Sequence, residues 1–171
     1  SSDLECHCAN NFGPYQFPEK LIPLFTTNAL EDEELPLFES SENKREWTHV
    51  DDHSRAIDAI IHKGNPGESY NIGTGTEKSV EEITQIILNT LDKPESLKKY
   101  VPDRLSHDTR YLLDSSKIKQ ELGWEPRIDV EEGLKETIMW YKKNEDWWQR
   151  VKSGEYENYY DDYYNDKIGE K

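Results

Sequence analysis

Asn10-Asn11-Phe12-Gly13-Pro14-Tyr15-Gln16-Phe17-Pro18-Glu19-Lys20-Leu21-Ile22-Pro23 changes character half-way along. Its first half is made of turn formers. With the small and polar residues ahead of it, it makes residues 1–16 read as a loop. Its second half opens a helix: from Pro18 onward, Leu21, Ile22, Leu24, Phe25 and Ala29 fall on one helical face. Pro18 suits a first turn, whereas Pro23 either kinks the helix or shifts its start.

Downstream, Leu35-Pro36-Leu37-Phe38 reads as a short strand on a sheet edge, because proline cannot serve a central ladder. The polar run Glu39 to Glu46 reads as a loop, and Trp47 to Val50 as a second strand. Asp51 and Asp52 precede Ala56, Ile57, Ala59, Ile60 and Ile61, as acids do at a helix N-terminus. Capping explains these acids, and it leaves His53 beside them no acid–base role. Lys63-Gly64-Asn65-Pro66-Gly67 stops that helix, and Ser69 to Ile72 forms a strand closed by Gly73-Thr74-Gly75.

Ser79 caps the following helix, with Glu82 three residues later completing a capping box. Val80, Ile83, Ile86, Ile87 and Leu91 form its buried stripe, and Lys93-Pro94 ends it. Thr109 to Leu113 reads as a strand, then Asp114 caps a helix from Ser115 to Leu122 that Gly123 terminates. One long helix is expected from Val130 through Trp147-Trp148, with Trp140, Trp147 and Trp148 as a packing face. Beyond Gly154 the acidic, tyrosine-rich end has no aliphatic residues and reads as an extended or disordered tail. No internal repeat is visible, and the elements give an α+β-like α/β chain with no complete βαβ series.

At 171 residues the chain suits one ordinary domain. A hydrophobic fraction of 33% against 33% charged residues puts it at the polar end of what folds, so the periodic grouping of the apolar residues decides for order. The net charge of -15 argues against nucleic acid and against an anionic membrane surface. No stretch reaches the apolar length of a membrane span and the first residues lack a signal pattern, so the expected location is cytoplasmic. Cys6 and Cys8, the two cysteines, sit too close for an unstrained disulfide, which fits a reduced compartment. Cys6-His7-Cys8 lacks the four ligands and the pair spacing of a structural zinc site, so no metal is assigned.

Several stretches, in order, resemble the C-terminal half of dTDP-glucose 4,6-dehydratases, a family of the extended short-chain dehydrogenase/reductase superfamily. They are Asn10 to Pro23, Arg45-Glu46-Trp47, Gly67-Glu68-Ser69-Tyr70-Asn71-Ile72-Gly73, Asp103-Arg104-Leu105-Ser106-His107-Asp108, Glu121-Leu122-Gly123-Trp124-Glu125-Pro126 and the Trp140-to-Tyr156 ending. The first is specific to the dehydratase, whereas Tyr-Asn-Ile-Gly and Leu-Gly-Trp-x-Pro recur in related nucleotide-sugar epimerases. The resemblance implies the C-terminal substrate-binding part of an extended Rossmann-fold dehydratase, with the N-terminal Rossmann core missing. The family's glycine-rich phosphate loop, its Tyr-x-x-x-Lys pair and its Asp-Glu acid–base pair would all precede Ser1. Its helix and strand between Ser-Asp-Leu and Asn-Asn are replaced by Glu5 to Ala9, which is expected to remove a sheet strand.

On this resemblance, residues 1–9 are a remnant of the cofactor domain, 10–156 the nucleotide-sugar-binding domain and 157–171 the tail. The substrate is a dTDP-sugar. Asn10, Lys20, Leu21, Pro36, Leu37, Phe38, Arg45, Asn71, Asp103, Arg104 and His107 are expected to bind it, and Asn11 to lie near the nicotinamide. Lys20, Arg45 and Arg104 are the cations offered to its diphosphate, since arginine's planar fork makes paired bonds to phosphate oxygens. Phe38 offers a stacking face for thymine, and Asn71 ends a strand beside glycines that let a ligand approach. Leu105 and Ser106 replace the family's Pro-Gly turn. No catalytic residue is assigned. NAD belongs to the intact family and is not expected to bind this chain alone. The expected activity of the isolated chain is nil. The rival reading is a non-catalytic interaction module or degenerate pseudoenzyme, pairing with itself as a homodimer or with a full-length dehydratase subunit.

Overall fold

Backbone pairing between distant segments explains where this chain departs from its local sequence signals. The computed structural model describes residues 3–102 and 110–154. Within the stretch expected to be loop, Glu5–Cys8 forms strand β1 and Asn10–Phe12 forms β2. β1 runs parallel to β5 (Ser69–Ile72), with Cys6 beside Tyr70 and Cys8 beside Ile72. β2 runs parallel to β4 (Lys44–His49), with Asn11 beside Thr48. Each N–H and C=O needs a partner, and these lie far along the chain, so turn-forming composition is overridden. The Glu5–Ala9 junction, expected to cost the sheet a strand, therefore supplies a short one.

Helix α1 spans Leu21–Leu30 rather than starting at Pro18, with Lys20 at its N-cap. Pro23 then falls in the first turn, where no N–H is required, and the helix starts cleanly with Leu24 N–H on Lys20 O at 2.8 Å. Among the described residues β3 (Leu35–Phe38) pairs only with β7 (Lys98–Val101), the edge setting that Pro36 demands. β4 is longer than expected. Its Trp47–His49 end serves β2, while its Lys44–Glu46 end holds β6 (Glu77–Ser79) antiparallel and β8 (Arg110–Tyr111) parallel.

Helix α2 (Val50–Lys63) corrects the reading of its acids. Its N-cap is His49, whose Nδ1 accepts the Asp51 N–H at 3.2 Å, and Asp52 is fully buried. Helix α3 (Val80–Leu91) carries the expected capping box: Ser79 Oγ accepts the Glu82 N–H at 3.1 Å, and the Ser79 N–H donates to Glu82 Oε2 at 2.7 Å. At α4 (Ser116–Leu122), Asp114 Oδ1 accepts the Ser116 N–H at 2.9 Å, and Gly123 ends the helix at φ 68. The single long C-terminal helix is in fact two, α5 (Val130–Lys143) and α6 (Glu145–Lys152). Asn144 breaks it by leaving the helical backbone region, at φ -119 and ψ 43, while its side-chain amide donates to Trp140 O at 2.8 Å. The break turns Trp148 inward, where its indole N–H meets Tyr141 O at 2.9 Å.

Two apolar clusters result. The larger joins α1, α3 and α5 to the inner residues of β3 and β4, among them Phe25, Leu37, Trp47, Ile83 and Leu134. The smaller packs α2, β5, α4 and Trp124 together. Each fully buried aliphatic or aromatic side chain contributes roughly 1.5–3 kcal/mol relative to exposure. No helix among the described residues is long and apolar enough to cross a membrane.

Candidate functional site

Alternation along β3 divides its side chains. Leu35 and Leu37 are fully buried in the larger cluster, and Pro36 and Phe38 point to the other side. There they meet Leu21, Leu24 and Phe25 of α1, the turn carrying Ser40, Ser41 and Asn43, and Arg45 of β4. Together with Glu19 and Val80 these residues line a cavity of about 420 Å³. Arg45 is half-buried. A guanidinium carries five donors, and among the described residues this one donates to Lys44 O at 3.2 Å. The wall thus combines an apolar floor, an aromatic ring, serine hydroxyls, an amide and one cation.

Four of the expected substrate residues gather there: Leu21, Pro36, Phe38 and Arg45. The Leu37 side chain is in the core instead. Lys20 is exposed at the start of α1, between the cavity residues Glu19 and Leu21. Asn10 is exposed on β2 and pairs in register with Trp47, away from the cavity lining. Asn71 donates to Asp114 O at 3.0 Å, beside a second hollow of about 450 Å³ lined by Gly73, Gly75, Ser115 and Trp124 among others. Asp103, Arg104 and His107 lie outside the described residues, as does the tail from residue 157.

A family model described as GDP-mannose 4,6 dehydratase matches residues 4–137. The dTDP-glucose 4,6-dehydratase of Streptomyces niveus is 47% identical over 146 residues, covering 85% of this chain and 44% of that protein. That of Escherichia coli is 47% identical over 161 residues, covering 88% and 44%. The chain belongs to the dehydratase family of that model, and these relatives within it are dTDP-glucose 4,6-dehydratases. The solved Bacillus anthracis dTDP-glucose 4,6-dehydratase in complex with NAD superposes at a TM-score of 0.82, with 49% identity over 86% of this chain and 47% of that one. The Streptomyces venezuelae dehydratase, also solved with NAD, gives 0.84 at 46% identity, covering 86% and 46%. This chain therefore spans about half the length of the dehydratases it matches.

Within that dehydratase frame, two buried carboxylates emerge whose internal roles the sequence pattern does not reveal. Glu46 follows Arg45 on β4 and so faces the opposite way. It is fully buried, and its Oε1 and Oε2 accept the N–H groups of Gly75 at 2.6 Å and Leu113 at 2.9 Å. A Cβ on Gly73 would meet Glu46 Oε1, so that glycine makes room for a protein carboxylate while also lining the second hollow. Asp52 accepts the N–H of Arg127 at 3.0 Å and of Ile128 at 2.9 Å, and pairs with the Arg55 guanidinium. Burial works to raise its pKa, yet the Ile128 N–H, Arg55 and the Arg127 N–H together hold the carboxyl below its ordinary range. The signals are a charge inside a strand and an acid near a helix start, both too common to single out.

Asn11 Oδ1 and Thr48 Oγ1, neighbours across the β2–β4 pairing, are buried without a hydrogen-bond partner among the described residues. Orphaned acceptors of this kind call for an explanation. The tryptophans form a packing face as expected: Tyr15 lies 4.5 Å from the Trp140 ring and 5.3 Å from Trp147.

Proposed function

We propose that this chain supplies the nucleotide-sugar-binding part of a dTDP-glucose 4,6-dehydratase, residues 10–156, with the 420 Å³ cavity holding the nucleotide. The observation that carries this reading is the convergence of Leu21, Pro36, Phe38 and Arg45, from three separate elements, on one open-mouthed cavity. The apolar floor and the Phe38 ring suit a flat pyrimidine. The hydroxyls and amide of the 39–43 turn suit its polar edge or the sugar. Arg45, half-desolvated at the wall, offers a forked contact to a diphosphate within a chain whose net charge is -15. Relatives in this family bind dTDP-sugars. The family resemblance assigns Asn71, Asp103, Arg104 and His107 to the same substrate.

The family reaction takes dTDP-glucose to dTDP-4-keto-6-deoxyglucose and water. NAD, when bound, accepts and returns the hydride for that chemistry. Among the described residues Asn11, whose Oδ1 lacks a partner, suits a nicotinamide amide, and the sequence contains no Gly-x-x-Gly-x-x-Gly phosphate loop. The role of these residues is accordingly to bind and orient the nucleotide-sugar, with no turnover expected from this chain by itself. Residues 1–9 then serve as a junction to the cofactor domain, and 157–171 are the acidic tail of the sequence.

Saturation-transfer NMR with dTDP, UDP and GDP tests the reading. Transfer to dTDP, strongest at the thymine protons and reduced by Arg45→Ala, is the expected result. Equal transfer to all three nucleotides, or none to dTDP, would overturn it.

A further inference from the structure

The turn between β3 and β4 carries Ser40, Ser41 and Asn43 into the cavity wall, with Phe38 at one end and Arg45 at the other. Its internal bonds run from the Ser41 N–H to Phe38 O and from the Asn43 N–H to Ser40 O, each 2.9 Å. Two such bonds do not fix the direction a turn takes from its sheet. That direction is set from outside. The Glu39 N–H donates to Val101 O of β7 at 3.1 Å, and the Glu81 N–H of α3 donates to Ser41 O at 3.1 Å. The Glu81 carboxylate then closes the same contact from the side-chain end: its Oε2 accepts from Ser41 Oγ at 3.3 Å and from the Tyr100 hydroxyl at 3.1 Å. Its Oε1 lies 2.8 Å from Lys98 Nζ, an ammonium only 10% exposed, which also donates to Gln85 Oε1 at 2.7 Å.

We infer that Glu81 is a positioning residue for the cavity, holding the 39–43 turn so that its Ser41 and Asn43 groups present to the nucleotide. This inference rests on the cavity being the nucleotide site. Glu81 does not itself line the space. It acts through Ser41, which does, and which is 4% exposed. The chemistry suits the task. An ionised carboxylate only accepts, so it serves Ser41 and Tyr100 together while Lys98 balances its charge. Burial opposes that charge, but Lys98, Tyr100 and Ser41 outweigh it and lower the Glu81 pKa, so the carboxylate stays in its accepting form. Tyr100 and Lys98 both lie on β7, which also holds Glu39. One carboxylate therefore ties helix α3 and strand β7 to the same turn.

The test compares wild type, Glu81→Ala, Glu81→Gln and the Ser41→Ala/Glu81→Ala double variant by calorimetric titration with dTDP, with amide exchange read at Ser41 and Asn43. Glu81→Ala is expected to weaken dTDP binding about three- to tenfold, less than the loss of a charge-assisted contact to the ligand itself because Glu81 acts through Ser41, and to speed exchange at both amides. Glu81→Gln, which keeps an acceptor, recovers part of each loss. The double variant binds no worse than Glu81→Ala, because the two groups act through one contact. Undiminished affinity in Glu81→Ala, or weakened affinity with exchange at the turn unchanged, would overturn the positioning role. If wild type fails to bind dTDP, the pocket assignment falls instead, and the exchange arm alone decides whether Glu81 holds the turn.

Discussion

The cavity wall at Arg45 and the knot around Asp52 both put a charge into largely apolar surroundings, and they use it in opposite ways. Asp52 is fully buried, and its oxygens are taken by the N–H groups of Arg127 and Ile128 and by Arg55. Its own carbonyl accepts the Trp124 indole at 3.1 Å. Nothing remains for a guest. Arg45 is half-buried, contacts Lys44 O, and faces the cavity beside Phe38. A charge whose partners are all internal closes a fold, and a charge with donors facing a cavity marks a place for a ligand. The contrast separates the structural acid of α2 from the cation of β4 that we propose as functional, although neither residue type distinguishes them.

Removing the knot has the largest expected effect. Asp52→Ala leaves two backbone N–H groups without partners and strips the Arg55 guanidinium of its carboxylate, leaving it Glu125 O, a loss of about 3–5 kcal/mol for a broken buried pair. Urea unfolding should show that loss, while dTDP affinity of the folded fraction stays at the wild-type value. A large loss of affinity with little change in stability would reverse the comparison.

The same carboxylate predicts an acid limb. Its folded pKa is lowered, so its stabilisation is present above the unfolded value of about 3.9 and is lost as pH falls through the lower folded value. Urea midpoints measured between neutral pH and that range should drop more steeply for wild type than for Asp52→Ala. Parallel curves would show that Asp52 carries no such linkage.

The smallest effect belongs to a purely local device. Ser79→Ala removes one half of the α3 capping box and should cost about 1 kcal/mol in thermal or urea unfolding. A cost as large as that of Asp52→Ala would erase the distinction between local caps and long-range knots.

The same distinction governs what is legible in the sequence. Ser79 with Glu82, Gly123 at the end of α4, and Pro36 on an edge strand are readable because each signal acts within a few residues. β1 and β2 are hidden among turn formers, because their pairing partners are Ser69–Ile72 and Lys44–His49. Asp52 reads as a helix-start acid for the same reason: the N–H groups it accepts come from Arg127 and Ile128. The end of α5 depends on Asn144, a residue whose side chain can extend or break a helix, and the outcome follows from burying Trp148. In the cavity, Leu21, Pro36, Phe38 and Arg45 are legible through family resemblance, whereas Ser41, Asn43 and Glu19 are not. Polar residues of a turn have no periodicity, and only the folded turn shows which of them face inward.

Calorimetric titration of dTDP into wild type and Arg45→Ala tests the central claim most directly. Losing a hydrogen bond to a charged partner costs about 1.5–3 kcal/mol. The account predicts measurable binding by the wild-type chain and at least about tenfold weaker binding by Arg45→Ala, with unfolding midpoints unchanged. Equal dTDP affinity in the two proteins would contradict it.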